Sequence, residues 1–467
     1  MKNLATLLII PPFKDIIYRE SKIKAGVPGS PFLNMALIAA DLRANAIPVR
    51  ILDLNLYDDY KAVLEKELRD FKPAFAGITF VTPLYGIMKE IARLLKEFDP
   101  AIVVVGGGAH ASAMPAETLE STQLDIVVVG EGDFTLSRII KGEDLAAMEG
   151  IGYKTGGRSV VNKGRHFIEN MDSLPLPAWD LYDLSRYVSP GFMAKRNPAG
   201  WLETSRGCPF ECCYCNKSVF GRAFRSKSPE RVVEEIRHML SCGFKEIHVV
   251  DDMFTTDVDR VKRICRGIIA AKLSFPWATV TGIRVDRGDQ EMFDLMARAG
   301  CYRVYFGIES GDQEILDGIG KKISPAQVRS AVAMAKKAGL ETCGFFMFGL
   351  PGETEETMQK TISLALELDL DWAKASIMVP LPETKIFREL DKAGKIKLRD
   401  WDKYNLYMPA DKIYDHATLG WDVINKYFTS FYRSFYFRPS VILKRLLAGV
   451  RNGTLMSDIL SFFKTKW

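Results

Sequence analysis

Three cysteines, Cys208, Cys212 and Cys215, stand in a C-x3-C-x2-C run within Cys208-Pro209-Phe210-Glu211-Cys212-Cys213-Tyr214-Cys215. A loop this short can turn three sulfurs toward one point, which suits a cluster of several irons better than one tetrahedral zinc. With only three thiolates, one iron keeps a position free of protein ligands. An open iron can bind a small molecule and pass it an electron, whereas a closed four-thiolate site mostly stores or relays charge. The competing reading is a zinc knuckle with Cys213 as fourth ligand. Against it, Cys212 and Cys213 are adjacent and no second cysteine pair or His-rich partner follows at zinc-finger spacing.

The elements that must position this loop are bounded by composition. A chain of 467 residues holds two or three domains, and 47% hydrophobic with 26% charged content is that of a globular protein. The net charge of +5 is spread along the chain and gives no support to nucleic-acid binding. Eight cysteines, five of them outside the triad and scattered, do not form a disulfide framework and imply a reducing cytosol. Leu4-Ala5-Thr6-Leu7-Leu8-Ile9-Ile10 is too short to span a membrane and ends in Pro11-Pro12, so it reads as a first buried strand.

Buried strands alternate with amphipathic helices from Leu4 to about Leu145. Runs such as Ile102-Val103-Val104-Val105 predict a doubly wound parallel sheet over residues 1–145. Such sheets bind ligands beyond the carboxyl ends of their strands. These ends carry Pro11-Pro12, Thr79-Phe80-Val81-Thr82, Gly106-Gly107-Gly108-Ala109-His110 and Gly130-Glu131-Gly132. Residues 146–200, broken by glycines and Leu174-Pro175-Leu176-Pro177, read as a connector wrapped between domains. A second alternation over 201–390 predicts six βα units, an incomplete parallel barrel with the cysteine loop after its first strand. Residues 391–467 are mainly helical, aromatic and basic. That region reads either as a face for a membrane surface or a greasy substrate, or as ordinary packing against its own domain.

The cysteine run, with Tyr214 before its last cysteine, resembles the signature of the radical S-adenosylmethionine (SAM) enzymes. The resemblance implies a four-iron four-sulfur cluster on Cys208, Cys212 and Cys215, with Cys213 a bystander and Tyr214 beside SAM. It extends to later strand ends. Asp251-Asp252 would face the cationic sulfonium and amine, unless they merely cap a turn. Arg284 would lie near the SAM carboxylate, Glu309 and Ser310 near its amine or ribose, and Phe348-Gly349, within Gly344 to Glu353, at the adenine. The first sheet is similar to the cobalamin-binding domain of one large subfamily, which implies ligand contacts from Thr79, Thr82, Gly106, Gly107, His110, Gly130, Glu131 and Gly132. No D-x-H-x-x-G segment follows the first strand, so no histidine on cobalt is expected, and His110 is assigned to the nucleotide tail. A flavodoxin-like sheet without cofactor is the plainer alternative.

The function this implies is cobalamin-dependent methylation of an unactivated carbon in a small, apolar-leaning substrate, with electrons from a flavodoxin or ferredoxin. Oxidative cyclisation or carbon–carbon bond formation, as in the anaerobic porphyrin-ester cyclases, is the second reading. A cobalamin-sensing regulator would need an output module, and none is found in the sequence.

Overall fold

The computed structural model describes residues 3–17, 29–405, 410–439, 441–443 and 446. Five parallel strands, β1 (Thr6–Ile10), β2 (Val49–Asp53), β3 (Phe75–Thr79), β4 (Val103–Gly107) and β5 (Ile126–Val128), build a sheet in the order β2-β1-β3-β4-β5. β1 is buried along its whole length, as an apolar run covered on both faces requires. The helix Tyr85–Phe98 buries Met88, Ile91, Ala92 and Leu95, the stripe that a 3.6-residue period presents to a sheet.

Two more strands, β6 (Ile151–Thr155) and β7 (Arg158–Val161), extend this sheet antiparallel from β5. The sequence reading leaves them in the connector because their glycines look like breakers. Gly156 and Gly157 instead have φ of 54° and 75° and form the two-residue turn of a hairpin, whose twist requires positive φ at both positions. The rest of the connector is a wedge. Tyr182 Oη donates to Phe32 O and Tyr187 Oη to Asp53 Oδ2 (both 2.9 Å) on the first sheet's side. On the other side Trp179 meets Phe244 edge-on at 5.1 Å, and His238 Nε2 lies 2.8 Å from Pro177 O.

The second sheet begins with β8 (Ala199–Leu202). A short antiparallel pair follows, β9 (Ser205–Arg206) and β10 (Arg225–Ser226), and then β11 (Glu246–Val249), β12 (Trp277–Ile283), β13 (Cys301–Glu309), β14 (Glu341–Phe348) and β15 (Trp372–Ile377). Strands β8 and β11 to β15 are parallel and lie in sequence order, with β8 and β15 as edges. This is the open six-unit barrel expected. Ser228 caps the first long helix by accepting from Arg231 N, and Pro229 takes the first helical position, as the sequence predicts.

The C-terminal helix Trp421–Tyr436 decides between the two readings of the aromatic tail. Phe431 lies between Phe346 and Phe348 of β14, with ring centroids 5.1 and 5.6 Å away, and Ile424, Phe431 and Phe435 are buried. One turn apart, Tyr432 and Tyr436 use their hydroxyls on the backbone of edge strand β15. Tyr432 Oη lies 2.8 Å from Ala375 O and 3.0 Å from Ala375 N, and Tyr436 Oη 2.8 Å from Ala373 O and 3.3 Å from Ala373 N. The open edge of the barrel is thereby covered, the usual remedy for an exposed strand. Over the described residues the tail is therefore packing for the barrel, the plainer of the two readings. Tyr407, Lys444, Arg445, Arg451, Lys464 and Lys466 lie outside the described residues. No described helix is long and apolar enough to cross a membrane.

Candidate active site

The cysteine loop is gripped at its neck. β9 and β10 pair Ser205 with Ser226 and Arg206 with Arg225. At Gly207 φ is 82°, and a Cβ there would sit 2.1 Å from Ala223 O, so only glycine lets the two limbs of the loop meet. Below the neck Arg260, buried, donates from Nε to Lys227 O (2.8 Å) and from Nη2 to Thr204 O (2.7 Å). Asp251, fully buried, accepts from Thr204 N, Thr204 Oγ1 and Ser205 Oγ, all at 2.6 Å.

Within the loop Lys217 Nζ donates to Cys208 O at 2.8 Å, and Tyr214 is hydrogen-bonded to Cys212. Burial, and then the neighbouring Cys212 and Cys208 sulfurs and Asp252, push the Cys215 thiol up to about 11. The three sulfurs thus sense one another, and none is in a disulfide. Among the described residues no three metal-ligating side chains already converge on one point, so what fits an iron–sulfur cluster is the donor set, three soft thiols on one tightly held loop. Cys213 does not join them. It packs in the core, its N–H donates to Ile319 O, its carbonyl accepts from Ile386 N, and burial pushes its thiol up to about 11. The zinc-knuckle reading loses its fourth ligand.

Several strand-end residues have other work than the sequence assigns them. Asp251 has its carboxylate saturated by the neck and is a clamp, whereas Asp252, which accepts from Gly207 N at 3.1 Å, stays at the loop. Arg284 is held by Asp286 (2.7 and 3.0 Å) and by the carbonyls of Lys321 and Lys322, and its guanidinium lies 3.6 Å over the Phe210 ring. It steadies the cluster loop and is not open to a substrate carboxylate. Ser310, fully buried, turns to Thr361 Oγ1 (3.2 Å) and caps Asp312 N. The Phe348 ring faces the C-terminal helix, its carbonyl takes Met378 N (2.8 Å), and Gly349 N is taken by Glu353 (2.7 Å). Glu309 is where expected. It follows a bulge in β13, adopts φ of 69°, accepts from Lys321 Nζ at 2.8 Å and lies near Tyr214. A bulge re-aims a side chain at a strand end, and this one delivers a carboxylate to the barrel mouth.

At the first sheet the half-buried Thr79 and Gly107, with the 42% exposed Val81, form a side-chain-poor shelf at the ends of β3 and β4, which suits a large flat ligand. Gly106 is a packing position instead, since a Cβ there would meet Leu124 at 2.5 Å. His110 does not reach that shelf. Its ring is fully buried among Tyr85, Trp401 and Phe80, Thr82 Oγ1 lies 3.3 Å from its Nδ1, and burial lowers its pKa to about 4. Trp401, which donates to Glu117 at 2.5 Å, closes over it from the far end of the chain. Glu131, between Gly130 and Gly132, points away from the shelf and into ion pairs with Arg206 and Arg225. Sequence reasoning missed these arginines and Asp133, although Arg206 stands directly before Gly207-Cys208 and Asp133 directly after Gly132.

Glu353, which in the sequence only closes the Gly344 to Glu353 phrase, is a buried acid. Its Oε2 accepts from Gly349 N (2.7 Å) and Leu350 N (3.0 Å), while Oε1 has no partner and burial pushes its pKa up to about 8. Because the folded value lies above the ordinary 4.5, its stability contribution is complete below about pH 4.5 and is lost as pH rises through about 8. Glu353→Gln keeps an acceptor for both N–H groups. The variant and the parent should therefore have similar urea midpoints at pH 5, with the variant more stable at pH 9. Parallel midpoints across that range would show that Glu353 is not buried as an acid.

The radical SAM superfamily model matches residues 202–365 and the B12 binding domain model residues 28–140. An uncharacterized methyltransferase of Pyrococcus horikoshii is 35% identical over 451 residues, 95% of each chain. The anaerobic magnesium-protoporphyrin IX monomethyl ester cyclase of Rubrivivax gelatinosus is 27% identical over 391 residues, 81% of this chain and 69% of that one. In fold, the radical SAM methyltransferase TsrM of Kitasatospora setae, solved with cobalamin and a [4Fe-4S] cluster, superposes with a TM-score of 0.69 at 21% identity, covering 84% of this chain and 75% of that one. The chain belongs to the radical SAM enzymes, in the branch that carries a B12 binding domain ahead of the radical SAM domain.

Proposed function

We propose that this enzyme methylates an unactivated carbon of a small molecule held between a cobalamin site on the first sheet and a cluster site on the barrel. The supporting observation is that the end of β5 abuts the cysteine loop. A Cβ on Gly130 would lie 3.5 Å from Val219 O, and Arg165 Nη1 donates to Ser218 O at 2.9 Å. Residues 1–145, extended by the β6–β7 hairpin, serve the first site and 201–390 the second, with the described part of 391–467 bracing both.

Cys208, Cys212 and Cys215 hold the cluster. With SAM bound it supplies hydrogen abstraction by a primary radical, and cobalamin supplies a transferable methyl group. Glu309, paired with Lys321 Nζ at 2.8 Å, would accept from the SAM amine, and Asp252 would lie toward the sulfonium. Such a radical is selective only where water is excluded and one C–H bond is held close. Electrons come from an external flavodoxin or ferredoxin. Glu309→Gln keeps an oxygen for Lys321 but loses the charge. It should weaken SAM binding about ten- to a hundredfold, the value of one hydrogen bond to a charged group, as read by equilibrium binding to the reconstituted protein.

Oxidative cyclisation is the second reading, favoured by the identity to the cyclase over 81% of the chain. Anaerobic purification with iron and corrinoid analysis tests the site, and product mass separates the readings. Methylation adds a methyl group, whereas cyclisation removes hydrogens. A protein that binds iron but no corrinoid would remove the methylation proposal.

A further inference from the structure

Arg206 joins what the sequence treats as two unrelated phrases, the glycine-flanked Glu131 of the first sheet and the cysteine loop of the barrel. It is 3% exposed. Its Nη1 and Nη2 take both oxygens of Asp133 at 2.7 and 3.0 Å, Nη1 also reaches Glu131 at 3.3 Å, and Nε donates to Glu203 at 2.7 Å. Its flat face lies 4.9 Å from the centre of the Phe220 ring. Arg225, its partner across the neck, pairs with Glu131 at 2.5 Å, donates to Ile168 O and Phe220 O, and stacks on Phe167 at 5.0 Å. Glu131 accepts Ile168 N at 2.9 Å, so the connector is held in the same cluster.

Three carboxylates and two guanidiniums are thus taken out of water between the sheets. Such a group adds little net stability over apolar packing of the same volume. What it adds is geometry, because a guanidinium fork on both oxygens of a carboxylate fits in one orientation. We propose that Asp133, Glu131, Arg206 and Arg225 form a latch that fixes the spacing between the cobalamin face and the cluster loop, with Arg206 a positioning residue two places ahead of Cys208. The assignment rests on the functional reading above, in which a substrate must contact both cofactors and about 1 Å of misplacement is costly.

The test uses the full chain with Asp133→Asn, which removes charge at constant shape, and with Arg206→Lys, which keeps charge and loses the fork. In the reconstituted holoenzyme both should retain iron and corrinoid while the cobalt(II)-to-cluster distance distribution from pulsed EPR widens. In the protein without cofactors, hydrogen exchange of peptides spanning 128–134 and 203–207 should quicken at least about tenfold. An unchanged distance distribution, or unchanged exchange, overturns the latch. So does loss of iron with the exchange of 128–134 preserved, since the residues would then only support the loop. If the parent protein binds no corrinoid, the cobalamin reading fails while the exchange arm still decides the latch.

Discussion

Cys208→Ala, Cys212→Ala and Cys215→Ala should each lose the cluster and reduce SAM cleavage to background, whereas Cys213→Ala should keep both. The four residues sit within eight positions of one another, so a general weakening of the loop would not separate them. Geometry does. The thiols of Cys208 and Cys212 are felt at Cys215, but the Cys213 side chain packs in the core and its backbone is bonded to Ile319 and Ile386. With two thiolates left, a second iron loses its protein ligand and the cluster its hold on the loop. Truncating Cys213 removes one small buried side chain, a cost of about 1 kcal/mol. Iron content with cleavage of SAM to 5′-deoxyadenosine is the measurement. A Cys213 variant without iron would show that the ligand set is wrong.

What was legible in the sequence follows from which interactions are local. β-branched runs and helical stripes mark elements that bury one face wherever they lie, so most strands of both sheets stand within two residues of their expected ends. The hairpin Ile151–Thr155 and Arg158–Val161 escaped because its turn glycines carry the same signal as a disordered linker. Site residues divide by the same rule. The cysteine spacing is a local pattern and Glu309 ends a strand, so both can be picked out from the sequence alone. Arg284, Ser310, Asp251, Glu131 and His110 take their assignments from the family resemblance at strand ends. Their actual partners, Phe210, Thr361, Thr204, Arg206 and Trp401, lie 47 to 291 residues away, and no spacing rule reports them. A polar residue at a strand end can face a ligand or brace a neighbouring loop with the same sequence signal.

Ending the chain after Pro409 should yield insoluble protein, not an active core that has merely lost its substrate. The sequence reading expects the opposite, since every cofactor phrase lies before residue 390. The structure changes the balance. Removal of the helix Trp421–Tyr436 deletes the buried Ile424, Phe431 and Phe435 and strips cover from Phe346 and Phe348. Five such side chains at about 2 kcal/mol each come to roughly 10 kcal/mol. That matches the whole stability of an ordinary domain, about 5–15 kcal/mol. The cut also removes Tyr432 and Tyr436, which leaves the backbone groups of Ala373 and Ala375 uncovered on an edge strand, a template for pairing with another chain. Phe431→Ala, a single cavity of about 3–5 kcal/mol, should remain soluble with a lowered midpoint in urea. Solubility of the truncated chain, with iron bound and SAM cleaved, would show instead that the barrel closes without the helix and would return the tail to a role at the substrate.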